Sequence, residues 1–199
     1  MSAEAELRIA EMQERLLGGF RLLQVLVGIR LRNVSDPESR RHLAWLSDVT
    51  AALSLLSKRL TAAGSVDFAG YLQDTIAFWR RAGEGQAIRF DLRASDASLP
   101  DTHALTLAII AHELIGNAVR HAFPEGARGS IAVAYSRATN GVSLVVRDSG
   151  VGAGELAFGE GLSLVEGLVQ HMGGAIQVET APGSGVGVRI RLPFGAEPN

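Results

Sequence analysis

Apolar positions in the first 64 residues recur at helical spacing. Leu16, Phe20, Leu23 and Val27 step by 4, 3 and 4, and Leu46, Val49, Leu53, Leu56 and Leu60 step by 3, 4, 3 and 4. Trp45, Ala52 and Leu55 widen the second stripe. Each series puts an apolar stripe on one helix and suits bundle or coiled-coil packing. Between them lies N-V-S-D-P-E, residues 33–38. Ser35 or Asp36 can cap a helix, Pro37 is tolerated in its first turn, and Ser35 with Glu38 has capping-box spacing. The pattern predicts an antiparallel hairpin of two helices of about 25 residues, each about 38 Å long. Gly18-Gly19 costs helix 1 about 1 kcal/mol per Gly and is expected at a kink or a close helix approach. Two helices cannot bury two wide apolar faces alone. A symmetric dimer forming a four-helix bundle is the simple solution; a hairpin folded onto its own C-terminal domain is the other.

After residue 64 the period alternates. Asp67 is expected to cap a helix to about Arg81, with Phe68, Leu72, Ile76 and Trp79 on one side. Ala87 to Leu92 reads as a strand, and Asp101 or Thr102 opens a long helix to about Ala122, closed by Pro124. Ile131–Tyr135 and Val142–Val146 read as an antiparallel pair joined near Asn140-Gly141. A Gly-rich segment, 149–161, precedes a helix from about Leu162 to Met172, which Gly173-Gly174 ends. Ala175–Glu179 and Val186–Leu192 make a last hairpin around P-G-S-G. The expected fold is α+β: a helical hairpin over 1–64, then an α/β sandwich over 65–199 with a mixed sheet and helices on one face.

Composition narrows the function. The 199 residues are 47% hydrophobic and 20% charged, which supports a core and excludes wholesale disorder. A net charge of −2 argues against nucleic acid or an anionic membrane as the main partner. With no Cys, disulfides and thiolate metal sites are excluded. Lys58 is the only lysine, so phosphate contacts fall mostly to Arg. The apolar run Leu22–Ile29 is interrupted by Gln24 and falls short of the roughly 20 residues a membrane span needs. No signal peptide is evident, so a cytoplasmic location is expected. If Met1 is the native start, no room is left for a sensor domain.

Three elements carry chemistry. The long helix contains H-E-L-I-G-N-A-V-R-H-A-F-P, in which Glu113, Asn117, Arg120 and His121 sit at i, i+4, i+7 and i+8 and share a face. Asp148-Ser-Gly150-Val-Gly152 follows the apolar strand Leu144–Val146, giving a fixed carboxylate and a backbone that a ligand can approach closely. Gly159-Glu-Gly161-Leu162 is a Gly loop opening a helix, whose free N–H groups could hold phosphate.

In this order and spacing the three elements resemble the gyrase/chaperone/histidine-kinase/mismatch-repair superfamily of ATP-binding domains. The likeness is strongest to sensor histidine kinases of the HisKA-2 type, on N-A-V-R-H-A-F-P-E-G, L-V-V-R-D-S-G-V-G and G-L-S-L-V-E-G-L-V. It covers about residues 67–193, and the hairpin matches the family's dimerisation and phosphotransfer domain in place and length. The resemblance implies that Asn117 ligands the magnesium bridging the ATP phosphates and that Glu113, the superfamily's general-base position, orients water or magnesium. It implies that Arg120 and His121 face the phosphates, and that Gly159, Gly161 and Leu162 close over the triphosphate. Asp148 would accept a hydrogen bond from the adenine amine, with Gly150 in the same turn and Gly152 letting the base lie on the backbone.

The sequence departs from that family at named places. Gln13 and Glu14 stand where the phosphoacceptor His and its neighbour are expected, with Arg15 following in its place. An amide cannot form the phosphoramidate that a His nitrogen can. His42 is the only histidine in the hairpin and reads as an exposed first-turn residue; His103 and His171 read as surface or helix-end residues. The segment 153–158 is short for an ATP lid. Val186 stands where the family usually has Thr, losing a hydroxyl near the adenine at a cost of about 0.5–1.5 kcal/mol. The expectation is a homodimeric two-component signalling protein that binds ATP and Mg2+, docks a response regulator or partner kinase, and is impaired in autophosphorylation. An anti-sigma-factor-type serine kinase, a non-catalytic dimeric scaffold or phosphotransferase-like protein, and a pure ATPase are the alternatives.

Overall fold

A computed structural model describes residues 3–61, 64–83, 85, 87–124, 127–153 and 160–194. The chain divides into two compact units, residues 1–71 with 98–112 and residues 72–97 with 113–199.

The first unit is built on α1 (Ala3–Asn33) and α2 (Pro37–Ser57). The expected hairpin forms, with helices of 31 and 21 residues in place of two of equal length. Asp36, and not Ser35, is the N-cap of α2: its side chain accepts from the Ser39 N–H at 2.8 Å. The Ser39 side chain, then its backbone N–H, hold the Asp36 carboxyl below the usual carboxylate range. Arg40 closes the turn by donating from Nη1 to the Leu31 and Val34 carbonyls at 2.7 and 3.0 Å. Near the other end, Gln13 donates from Nε2 to the Leu60 carbonyl at 2.8 Å, which makes the pair antiparallel. Helix α1 runs unbroken through Gly18-Gly19, and a Cβ at either would meet nothing within 4 Å, so neither marks a close approach within the chain.

Two-residue strands complete this unit. β1 (Ser65–Val66) pairs antiparallel with β3 (Leu99–Pro100). Asp67 caps α3 (Phe68–Ala82) by accepting from the Gly70 N–H at 2.9 Å. Buried Tyr71 donates its hydroxyl to the Ala108 carbonyl, 2.8 Å away, in α4 (Asp101–His121).

The second unit holds a five-stranded sheet. Its strands are β2 (Ile88–Ala94), β4 (Gly129–Ala138), β5 (Gly141–Asp148), β6 (Ala175–Thr180) and β7 (Val186–Pro193), in the order β2-β4-β5-β7-β6. β2 runs parallel to β4 and the other neighbours are antiparallel, so the sheet is mixed as expected. Ile131, Val133 and Tyr135 lie opposite Asp148, Val146 and Leu144, while Leu144 and Val146 lie opposite Ile190 and Val188. All of these are buried, whereas Ala132, Arg147, Arg189 and Arg191 on the alternate positions are exposed. That is the alternation of an antiparallel sheet covered on one face. Val165 and Val169 of α5 (Glu160–His171) and Leu114, Ile115 and Val119 of α4 add to the core. Gly173, at φ 64°, ends α5 in a Schellman motif: its N–H bonds the Gln170 carbonyl and that of Gly174 the Val169 carbonyl.

Candidate functional site

Asp148 is the last residue of β5, a strand with neighbours on both sides, and is only 6% exposed. Its Oδ1 accepts two backbone hydrogen bonds, from Gly150 at 2.9 Å and Val186 at 3.2 Å. Among the described residues no partner reaches Oδ2. A buried carboxylate with one oxygen fixed by main-chain donors and the other available is a directional acceptor.

The turn after Asp148 is tied to the end of α4. Val151 donates its N–H to the Ala122 carbonyl at 3.0 Å. A Cβ at Gly150 would overlap that same carbonyl, so only Gly allows the approach. Gly152 has φ 61°, and a Cβ there would strike the Ala181 carbonyl. Through these contacts the carboxylate of β5 and the polar face of α4 are held in one frame.

Glu113, Asn117, Arg120 and Gly161 come together. Arg120 Nη2 donates to Asn117 Oδ1 at 3.1 Å and lies 3.6 Å from Glu113 Oε1, whose side chain is 9% exposed. The same guanidinium carbon stands 5.0 Å from the Trp79 ring centroid. Gly161, in the first turn of α5, abuts this group: a Cβ on it would overlap Glu113 Oε1 and come within 3.3 Å of Asn117 Nδ2. The first-turn N–H groups of a helix have no intrahelical partner and favour anions. Leu162 follows Gly161, half-buried, and His121 is exposed at the end of α4. Gly159 and positions 154–158, most of the segment expected to be a short ATP lid, lie outside the described residues. Gln13 and Glu14, the expected phosphoacceptor positions, are half-buried and exposed respectively.

Residues 102–196 match the family model of histidine kinase-, DNA gyrase B-, and HSP90-like ATPases. Over those residues the chain is similar to histidine-kinase-like ATPase domains. The sensor histidine kinase PdtaS of Mycobacterium tuberculosis is 27% identical over 200 residues, covering 94% of this chain and 39% of the relative. The chain thus spans well under half the length of the curated relatives it matches. Among solved structures, the Erythrobacter litoralis EL346 blue-light activated histidine kinase aligns over 99% of this chain and 62% of its own, with TM-score 0.70 and 22% identity. Its histidine kinase domain alone aligns over 87% of this chain and 95% of its own, with TM-score 0.66 and 21% identity. These likenesses establish the fold.

The donor set at the Glu113–Asn117 corner is of a kind that fits magnesium. Among the described residues no cluster of three or more His, Cys, Asp or Glu could cage a metal alone. Magnesium is usually held by one or two protein oxygens together with substrate phosphates, and the Glu113 carboxylate and Asn117 Oδ1 are oxygens of the type such a site uses. A guanidinium already sits between them, so the corner attracts positive charge.

Sequence reasoning missed three contributors. Thr180 Oγ1 accepts from the Ala153 N–H at 2.9 Å and donates toward the Gly185 carbonyl at 3.1 Å, so a hydroxyl reaches this hairpin from β6. The Ala122 carbonyl and the Val186 N–H are main-chain groups, which no side-chain pattern reveals.

Proposed function

We propose that this chain is a two-component signalling protein of histidine-kinase architecture, of the HisKA-2 type, that binds ATP–Mg and docks a response regulator or partner kinase. The observation that carries the reading is the pose of Asp148: Oδ1 is pinned by Gly150 and Val186, and Oδ2 is left to accept from an adenine amine. Gly152, at φ 61° and packed on the Ala181 carbonyl, keeps the turn that the base would lie against closed onto the last hairpin. Asn117 Oδ1 and Glu113 would hold the magnesium, which supplies neutralisation of phosphate charge when bound. Arg120 and His121 face the phosphates, and the first turn of α5 offers its Gly161 and Leu162 N–H groups. Glu113 is also the group that orients water.

Phosphotransfer to α1 is impaired in this reading. The Gln13 amide is engaged with the Leu60 carbonyl and has no nucleophilic lone pair to give. The hairpin then serves dimerisation and docking. Its support is a second apolar stripe on α1: Leu22, Val25, Leu26 and Ile29, spaced i, i+3, i+4, i+7, are 60%, 58%, 52% and 44% exposed. The occupant of that stripe is a second copy of the chain.

Calorimetry of ATP–Mg binding tests the pocket. Asp148→Ala and Asn117→Ala are each expected to weaken binding at least about tenfold, the size of a lost charge-assisted contact. Equal affinity for wild type and Asp148→Ala overturns the assignment. Incubation with labelled ATP tests the chemistry, with little label expected. Acid-labile, base-stable label that disappears in His42→Ala would overturn the reading of the hairpin. Acid-stable, alkali-labile label on serine would instead favour a serine kinase.

A further inference from the structure

Trp79 lies on the apolar side of α3. It is 5% exposed, and its six-membered ring lies where a Cβ on Gly116 would overlap Cζ2. Gly116 is the residue before Asn117, in the middle of α4, where a glycine costs helix stability. The indole therefore rests directly on the helix backbone beside the magnesium-binding oxygens. On the same indole lies the Arg120 guanidinium, with Nη2 on Asn117 Oδ1 and near Glu113 Oε1. A flexible arginine is thus held at three points, by a ring face, an amide oxygen and a carboxylate.

We infer that Trp79 is a positioning residue of the nucleotide site. Seated on Gly116, it keeps the Arg120 guanidinium at the Glu113–Asn117 corner, where it stands in for a cation and from which it turns to the phosphates when nucleotide enters. The inference rests on the ATP-binding reading above. It assigns Trp79 to the phosphate end of the ligand, while Asp148 serves the base end.

The test compares ATP–Mg with adenosine, which has the base and no phosphates, on the full chain. Trp79→Leu is expected to weaken ATP–Mg about tenfold, as a desolvated cation–π contact allows, and to leave adenosine binding unchanged. Trp79→Phe restores most of the affinity. In an Arg120→Ala background, Trp79→Leu has no further effect. Equal weakening of ATP and adenosine, or additive effects of the two substitutions, overturns the inference and leaves the pocket standing. Failure of wild type to bind either ligand instead removes the pocket itself. If Trp79→Leu does not fold, Trp45→Phe leaves Trp79 as the one emitting indole. Its emission should shift on saturation with ATP–Mg and not with adenosine; an unchanged emission overturns the inference.

Discussion

Val186 donates its backbone N–H to Asp148 Oδ1 at 3.2 Å, so a position that lacks a hydroxyl still serves the carboxylate through its main chain. The Thr180 hydroxyl braces the same hairpin at Gly185. The side chain at 186 should then matter little. Val186→Thr is expected to change ATP affinity by less than about threefold, within the net worth of one hydrogen bond. Asp148→Asn, which changes the acceptor itself, is expected to weaken it by more. Calorimetry on the two variants checks the order; a large gain from Val186→Thr would restore the missing hydroxyl as the limiting feature.

Gly150 is where the Asp148 turn meets α4. Gly150→Ala pushes a methyl into the Ala122 carbonyl oxygen and carbon, which are backbone, and into the Ala122 Cβ bonded to it, and none of these can step aside as a long side chain would. Overpacking of this kind costs about 1–3 kcal/mol. The variant should melt several degrees lower and lose ATP affinity together. Gly167→Ala is the control, since a Cβ there meets nothing within 4 Å, and it should leave both unchanged or raise stability slightly.

Periodicity made the fold legible wherever an element was long enough to show a period. Strands β4, β5, β6 and β7 and helices α3, α4 and α5 lie within a few residues of where apolar spacing puts them. β1 and β3 were invisible because two residues have no period. β2 continues to Ala94 because its parallel register with β4 runs to Tyr135, a non-local constraint. The choice of Asp36 over Ser35 as cap rests on one backbone bond, and both types suit the role. Glu113, Asn117 and Asp148 stood out because polar side chains on apolar elements are costly without a purpose. Ala122 and Val186 act through main-chain atoms and leave no mark on the sequence. Gly116, a helix-interior glycine, was the one readable sign that a large ring lies on α4.

Thr180 joins Ala153 to the last hairpin by accepting the Ala153 N–H. Thr180→Val keeps the shape and removes the acceptor. A lost hydrogen bond with its donor left behind costs about 1–3 kcal/mol. Thr180→Ser should keep both ATP affinity and melting temperature near wild type, while Thr180→Val lowers both. Hydrogen exchange at the Ala153 amide gives the local readout, expected to be faster in Thr180→Val alone.

The Asp36 cap gives α2 a dependence on pH. Hydrogen bonds from Ser39 place the folded carboxyl below its ordinary value of 3.8, so the native state prefers the ionised form. Its stabilisation is complete above 3.8 and fades as pH falls through the lower folded value. Asp36→Ser keeps a capping oxygen that does not titrate. The gap in urea midpoint between wild type and Asp36→Ser should therefore be constant from pH 7 to 5. It should shift against wild type only in the acid range below 3.8.

The outward stripe of α1 determines how the hairpin is completed. Leu16 and Leu23 of the predicted seam remain 39% and 50% exposed, and Leu22, Val25, Leu26 and Ile29 add a further row. Burying a side chain of this kind is worth about 1.5–3 kcal/mol, so covering the row in a symmetric bundle favours a stable dimer. Leu26→Glu places one charge from each copy against an apolar seam and against its symmetry mate. Sedimentation should show a dimer for wild type and a monomer for Leu26→Glu. Because Asp148 and Asn117 belong to the other compact unit, the monomer should retain its affinity for ATP–Mg. A wild type that is monomeric at high micromolar concentration would leave the stripe without the second copy that this reading requires.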